Sequence, residues 1–365
     1  MTWLGDQLSR IADDMPERDL ATRAIAVHQR RRRNLLAFTA AAVVVVTMIA
    51  VTVAVRAVPS EPRAAARPSV HPSARPSAPL ELPVIKVGLL PTVETASVFV
   101  AIAEGYFQEE GLTVEPMVIT GGAAALPPTQ NGRLDLTYTD YLTLFQANER
   151  GKDFKIVASL YLAVPGDVAV VVNPRSKIRT VRDLKGKVIT TPNLRTFDHL
   201  TLTAALKRAG LKPRDVLIAE KPYPEMVHVL HKGQADAAVL PEPYLSVGRQ
   251  SGRVRILADA IPKEFAALHT AGLATTHEWA RENPRTLAAF KRALAKAKRL
   301  IASDPGQVRK VVPTYTKISA KTTDTLTFGS YPAEIDPNEL QRVADLGEAF
   351  GWLDGSDGLL LALKP

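Results

Sequence analysis

Apolar residues along this chain keep three different rhythms, and each predicts a different kind of structure. The first is an unbroken run. Leu35 to Val55 is 21 residues without a charged side chain, centred on Val43, Val44, Val45 and Val46. As a helix rising ~1.5 Å per residue it is ~31 Å long, enough for a hydrocarbon core of ~30 Å. A buried helix of a globular domain is the competing explanation. Such helices break their apolar run with polar residues, and here only Thr39, Thr47 and Thr52 do so. The run is read as one transmembrane helix over residues 35–58.

Arg30 to Arg33 stand immediately before it and Arg56 alone flanks the other end. The excess of positive charge on one side places residues 1–34 in the cytoplasm and everything after residue 58 outside. A cleavable signal has an apolar region of ~7–15 residues. This run is longer and 34 residues precede it, so an uncleaved anchor is expected. Within the cytoplasmic segment Leu4, Leu8 and Ile11, then Leu20, Ala24 and Val27, recur at helical spacing. That pattern suits a helix lying on the bilayer or one docked on a cytoplasmic partner.

The second rhythm is the absence of one. Residues 59–83 carry Pro59, Pro62, Pro68, Pro72, Pro76 and Pro79 interleaved with Arg63, Arg67 and Arg75. Such a stretch buries too little apolar surface to fold and predicts a semi-extended linker.

From residue 84 short apolar runs alternate with helical stripes. Strands are predicted at Val84–Leu90, Leu112–Thr120, Leu134–Thr137, Lys155–Leu160, Val168–Asn173, Lys187–Thr191, Val216–Ala219, Ala235–Leu240 and Val254–Leu257. Phe99, Ile102, Ala103 and Tyr106 predict one helix face. Asp198 is the candidate N-cap of another, with Leu202, Ala205, Leu206 and Ala209 on its face and Gly210 as its stop. After residue 278 the pattern is helical, opening at Asn283-Pro284 with Leu287, Phe290, Leu294, Ala297 and Ile301 as the stripe. Alternation followed by a helical tail predicts an α/β architecture of two lobes. No fixed-period repeat is visible.

Composition narrows the function. Cysteine is absent from the 365 residues, which excludes disulfides, thiolate metal sites and cysteine nucleophiles. The net charge of +9 invites a nucleic-acid partner, but residues 84–365 hold 35 basic against 30 acidic residues, interspersed. That is an ordinary solvated surface, and no nucleic-acid binding is expected. Phosphate-loop, dinucleotide and nucleophile-elbow motifs are missing. His228 and His231 lie three apart on a predicted helix, but no third ligand accompanies them, so no metal is expected.

Polar residues gather where strands end. Thr92, Glu94 and Thr95 follow the first strand, Gly121 and Gly122 the second, Asp140 and Tyr141 the third, and Tyr161 the fourth. Asn193, Arg195 and Thr196, then Glu242 and Tyr244, follow strands of the second half. In open α/β sheets ligands sit beyond the carboxyl ends of strands, where helix N-termini offer free N–H groups. These residues are the candidate ligand-binding set.

Five stretches carry a more specific resemblance: Ile85–Pro91, Val100–Glu115 with Gly105-Tyr106-Phe107 and Gly111-Leu112 inside it, Asn131–Asp135, Val181–Val188 and Gly233–Ala238. Glu242-Pro243-Tyr244 adds to them. Together they resemble the nitrate, sulfonate, taurine and thiamine-precursor binding proteins of ABC importers, over residues 84 to about 355. The resemblance implies a two-lobed periplasmic-binding-protein-like (type II) fold, here preceded by the single transmembrane helix. Lobe one would be about 84–165 and 278–365, and lobe two about 166–277. It also implies capture of a small molecule between the lobes, without cofactor or catalysis, and delivery to a permease and its ATPase.

The chain departs from that family in its anchor, which brings in the lipid bilayer as a partner, and in Pro127-Pro128, expected to interrupt the helix after Gly121-Gly122. Glu94, Asp140 and Glu242 near the site would repel a small anion and favour a ligand with N–H donors, such as an aminopyrimidine. Arg195 would favour a sulfonate or carboxylate. A thiamine-pyrimidine synthase of the same fold is associated with a cysteine-rich iron-binding run that has no counterpart here. The other reading is a membrane receptor that signals through residues 1–34.

Overall fold

The computed structural model describes residues 78–262, 265–316 and 318–364. The anchor expected over residues 35–58 lies outside them, as do the cytoplasmic segment and most of the linker. Among the described residues no helix is long and apolar enough to cross a membrane.

Two five-stranded sheets organise these residues. The first holds β1 (Val84–Leu89), β2 (Thr113–Val118), β3 (Leu136–Asp140), β4 (Phe154–Leu162) and a strand from much later in the chain. The second holds β5 (Val168–Val172), β6 (Val188–Thr191), β7 (Leu217–Glu220), β8 (Ala237–Pro241) and β9 (Arg255–Asp259). The late strand is β10 (His269–Thr276), and the orders are β2-β1-β3-β10-β4 and β7-β6-β8-β5-β9. β1 runs parallel to β2 and β3, as β6 does to β7 and β8. β10 is antiparallel to β3 and β4, as β5 is to β8 and β9. The two sheets thus share one topology, each with one reversed strand reached by a crossing between lobes.

A duplication that the sequence pattern concealed is visible in this order. Gly132 and Gly233 both take left-handed φ values, 74° and 68°, which a residue without Cβ adopts at little cost. Three residues on, Asp135 accepts from the Lys86 N–H at 2.7 Å and Asp236 from the Val188 N–H at 2.9 Å. Each carboxylate ties the entry of one strand to its neighbour, so the two similar stretches noted in the sequence do the same mechanical work in the two lobes.

The helices that matter to the site are α1 (Ala96–Ala103), α2 (Gly122–Gln130), α3 (Tyr141–Glu149), α4 (Phe197–Arg208), α5 (Tyr223–His231), α6 (Tyr244–Gln250), α7 (Pro284–Ser303), α8 (Gly306–Thr316), α9 (Pro337–Ala349) and α10 (Asp357–Ala362). The α7 stripe Leu287, Phe290, Leu294, Ala297 and Ile301 is buried as its spacing predicts. It packs back on lobe one, where Phe290 stacks on Phe107 at 5.0 Å.

Four expectations need correction. The strand β10 was not foreseen, and it moves residues 269–276 from lobe two into the sheet of lobe one. His269-Thr-Ala-Gly-Leu-Ala-Thr-Thr276 shows neither alternation nor an apolar run, because it is enclosed between β3 and β4. A Cβ on Gly272 would lie 2.7 Å from the Ala158 carbonyl oxygen and 2.6 Å from the Tyr141 hydroxyl. Asp198 is not an N-cap: Thr196 holds that position and Asp198 is buried in the first turn. On α1 the fully buried residues are Ala96, Ser97, Val98, Val100 and Ala101, while Phe99 and Ile102 of the expected face are half-buried against the core and Tyr106 begins a separate turn. Pro127 and Pro128 lie inside α2 without breaking it. Their carbonyls still accept from Asn131 and Arg133, and Ala123 and Ala124, whose carbonyls lose donors, are exposed to water.

Chain crossings between the lobes include residues 163–167 and, on the way back, 260–262 and 265–268. They bond to each other, Ala163 N–H to the Leu268 oxygen at 3.2 Å and Ala267 N–H to the Ala163 oxygen at 2.9 Å. Elsewhere α4 of lobe two meets lobe one: the His199 ring lies 4.7 Å from Trp352, Lys207 Nζ sits 4.1 Å over Phe350, and Gln146 Nε2 donates to the Arg195 oxygen at 2.8 Å.

Candidate functional site

Between the lobes lies a narrow cleft. The space open to the centre of a water-sized sphere is about 40 Å³, room for a few small groups at ~10–15 Å³ each. Lobe one contributes Leu90, Val93 and Glu94 after β1, Gly121 and Gly122 before α2, Tyr138 and Asp140 of β3, Tyr161 of β4 and Thr270 of β10. Lobe two contributes Pro192, Asn193, Thr196, Phe197 and Asp198 around the start of α4, Tyr223 of α5 and Pro241 of β8. Ala163 and Asp167 enter from the first crossing and Val168 from the start of β5. The strands deliver these residues because both sheets point their β1- and β6-type ends at the gap.

Each acid in the cleft has a defined set of donors. Glu94 accepts from Tyr138 OH at 2.5 Å and Thr270 Oγ1 at 3.0 Å, with Thr92 Oγ1 at 3.5 Å. Asp140 caps α3, taking the Thr143 N–H at 3.1 Å and its hydroxyl at 2.5 Å. Asp167 Oδ2 accepts from Tyr161 OH at 2.9 Å and Val164 N–H at 3.1 Å. Asp198 accepts from Tyr223 OH.

Burial outweighs these bonds. It raises the carboxyls of Glu94 and Asp140 above the usual range. It pushes Asp167 up to about 8, with Glu94 and Asp259 adding repulsion. It pushes Asp198 up to about 7, with Glu94 and Asp140 adding to it. The Tyr138, Tyr161 and Tyr223 hydroxyls are held well above their ordinary value, first by burial and then by the adjacent acids.

Of the residues picked out from sequence, Glu94, Gly121, Gly122, Asp140, Tyr161, Asn193 and Thr196 come together here. At Gly121 the lobes approach closely, since a Cβ there would lie 2.4 Å from Asn193 Oδ1. The other six stand behind or outside the lining. Thr92 and Thr95 are buried and brace the loop, Thr95 Oγ1 donating to the Leu90 oxygen at 2.8 Å. Tyr141 is in the lobe-one core, 6.0 Å from Phe145. Tyr244 stacks on Tyr223 at 5.4 Å and supports it from outside. Arg195 is exposed, with φ 57°, and its main chain, not its guanidinium, makes the local bonds. Arg195 therefore offers no guanidinium to a sulfonate among the lining residues.

Glu242 is only 1% exposed and turns inward. It accepts from Ser246 Oγ at 2.7 Å, Ser246 N–H at 3.0 Å and Thr327 N–H at 3.4 Å. It is the lobe-two counterpart of Asp140, spent on holding α6. His228 and His231 are exposed on α5, and no cluster of three metal-ligating side chains occurs among the described residues.

Sequence reasoning missed Tyr138, Asp167, Tyr223 and Thr270, and gave Asp198 a capping role. The one signal for Asp167 was its place between Gly166 and an apolar run, where a turn residue is unremarkable. Thr270 was hidden with β10.

Comparison with known proteins agrees with this geometry. A riboflavin-binding protein, RibY of Chloroflexus aurantiacus, is 26% identical over 244 residues, covering 64% of this chain and 66% of that protein. The chain thus spans just under two thirds of that relative's length. Among solved structures, the alkanesulfonate-binding protein SsuA from Xanthomonas axonopodis pv. citri bound to MOPS superposes with a TM-score of 0.67 at 19% identity, over 78% of this chain and 99% of that one. The periplasmic nitrate-binding protein NrtA from Synechocystis PCC 6803 gives 0.65 at 14%, over 77% and 86%. These likenesses show the two-lobed periplasmic-binding-protein-like fold. The family model described as NMT1/THI5 like matches residues 92–308, which is more than half of the 365 residues, and the chain belongs to that family.

Proposed function

We propose that this protein is the substrate-binding component of an ABC importer, capturing one small molecule between its lobes and presenting it to a permease with its ATPase. The observation that carries the reading is a cleft lined from both lobes by acidic side chains, half-buried Glu94 and buried Asp140 on one wall and buried Asp198 on the other. A ligand touching both walls stabilises the closed form by its differential affinity for it. The named neighbours SsuA and NrtA, an alkanesulfonate- and a nitrate-binding protein, support a solute-binding role over an enzymatic one.

Residues 35–58 tether the domain to the bilayer in this reading, with residues 1–34 cytoplasmic. Support comes from the uncharged run Leu35–Val55 and the four arginines before it. Protease added to intact cells is expected to remove the domain beyond residue 58 and spare an N-terminal tag. A protected C-terminal domain overturns the orientation and the import role with it. Affinity capture of the full chain in mild detergent tests the partners: a permease and an ATPase are expected. Recovery of a transcription or sigma factor instead would replace transport by the receptor reading.

A further inference from the structure

Polar groups in the cleft are unequally spent. The lining side chains include four carboxylates, Glu94, Asp140, Asp167 and Asp198, and no lysine, arginine or histidine. Its hydroxyl donors are already used within the protein. Tyr138 and Thr270 donate to Glu94, Tyr161 to Asp167, Tyr223 to Asp198 and Thr196 to the Asn193 oxygen. Apart from the Asn193 amide, the side-chain groups that remain to meet a ligand are the carboxylates.

One of them is unpaired. Asp167 is 2% exposed, both its bonds go to Oδ2, and Oδ1 has no partner. A buried acceptor left without a donor costs ~1–3 kcal/mol and calls for an explanation in a native structure. The groups that face Asp167 are Tyr161, Glu94 and Asp259, and those that face Asp198 are Tyr223, Glu94 and Asp140. None brings positive charge.

We infer that the cleft takes a small organic cation (an amine, amidine or guanidine) whose N–H groups bond Asp167 Oδ1 and the Asp198 carboxylate. This deepens the binding role proposed above and rests on it. A nitrate or sulfonate would find no lysine, arginine or histidine among the lining side chains to balance its charge. A cation supplies the missing donors and charge-assisted bonds together. Asp167 lies in a crossing between the lobes, so the ligand that satisfies it reaches the hinge directly. Binding also ionises carboxyls that are partly protonated when facing only each other, and releases protons.

The test uses full-length protein and the dialysable fraction of yeast extract, split on a cation exchanger at neutral pH, with thermal stabilisation as readout. Acetamidine and 1,4-diaminobutane serve as pure cationic probes, taurine and nitrate as anionic or zwitterionic ones. Stabilising activity is expected in the retained pool and from the cationic probes. Calorimetry between about pH 7 and 8, in two buffers of different ionisation enthalpy, is expected to show net proton release. Asp167→Asn is expected to weaken the binding tenfold or more and to reduce that release, with Asp198→Asn as the second variant from the facing lobe. Activity confined to the flow-through pool, or to taurine and nitrate, overturns the cation assignment and leaves the binding role standing. Activity in neither pool removes the binding role as well. Undiminished binding by both variants overturns the placement.

Discussion

Replacing Glu242 by alanine separates a structural from a ligand-contacting carboxylate. From sequence this residue was a candidate ligand contact. Its geometry says the reverse. The carboxylate is 1% exposed and accepts two well-formed bonds from Ser246, at 2.7 and 3.0 Å, and a longer one from Thr327 at 3.4 Å. Alanine leaves these donors buried without an acceptor. At ~1–3 kcal/mol for each of the two short bonds, and little for the long one, the loss is about 3 kcal/mol. For a domain of this size ~1 kcal/mol corresponds to roughly 2 °C, so Tm should fall by about 6 °C. Glu242→Gln keeps an acceptor for Ser246 and should recover more than half of the loss. Thermal unfolding followed by circular dichroism reads both variants, with ligand affinity measured well below the lowered transition. A Tm within a degree of the parent combined with a tenfold weaker affinity would refute the reasoning and return Glu242 to the cleft.

Trp352→Ala removes the ring that meets His199 across the gap. An aromatic contact of this kind contributes ~0.5–1.5 kcal/mol beyond area, so ligand release should quicken about two- to tenfold in a chase experiment run well below the unfolding transition, which falls as well because the ring also packs on the core; an unchanged release rate would show that this contact takes no part in closure. The buried acids set a pH dependence. Asp167 and Asp198 go from 3.8 to about 8 and about 7 in the folded state, both driven first by burial. The folded protein then holds protons that the unfolded chain has released. Their stabilisation is full below about pH 4 and is lost as pH rises through about 7 to 8. Tm of the ligand-free protein should therefore fall across that last interval, and fall less in Asp167→Asn; a flat or rising Tm would mean these carboxyls ionise normally.

Much of the fold was legible because local pattern and tertiary role coincide. The α7 stripe faces the core as spaced, and Gly132 and Gly233 turn left-handed before the aspartates that tie neighbouring strands. Where long-range contacts decide, the pattern was silent. The strand β10 reads as a loop because small residues are what fit between β3 and β4. Asp198 has a side chain suited to an N-cap, but the Tyr223 hydroxyl, 25 positions on, claims its carboxylate. Asp167 sits in an ordinary turn sequence, and only the folded crossing makes it part of a site. Half of the candidate residues were found because polar loops at strand ends do line the gap. Glu242 and Arg195 were misjudged because their positions follow strands while their side chains turn away.

The central claim is that one small molecule is held between the lobes by groups from both. Native mass spectrometry of the full chain, purified gently from the cells that make it, tests this most directly. The expected result is one small-molecule adduct per chain, diminished both in Glu94→Gln on the first lobe and in Asp198→Asn on the second. A protein that carries no adduct under these conditions, or one whose adduct survives both substitutions undiminished, would contradict the account.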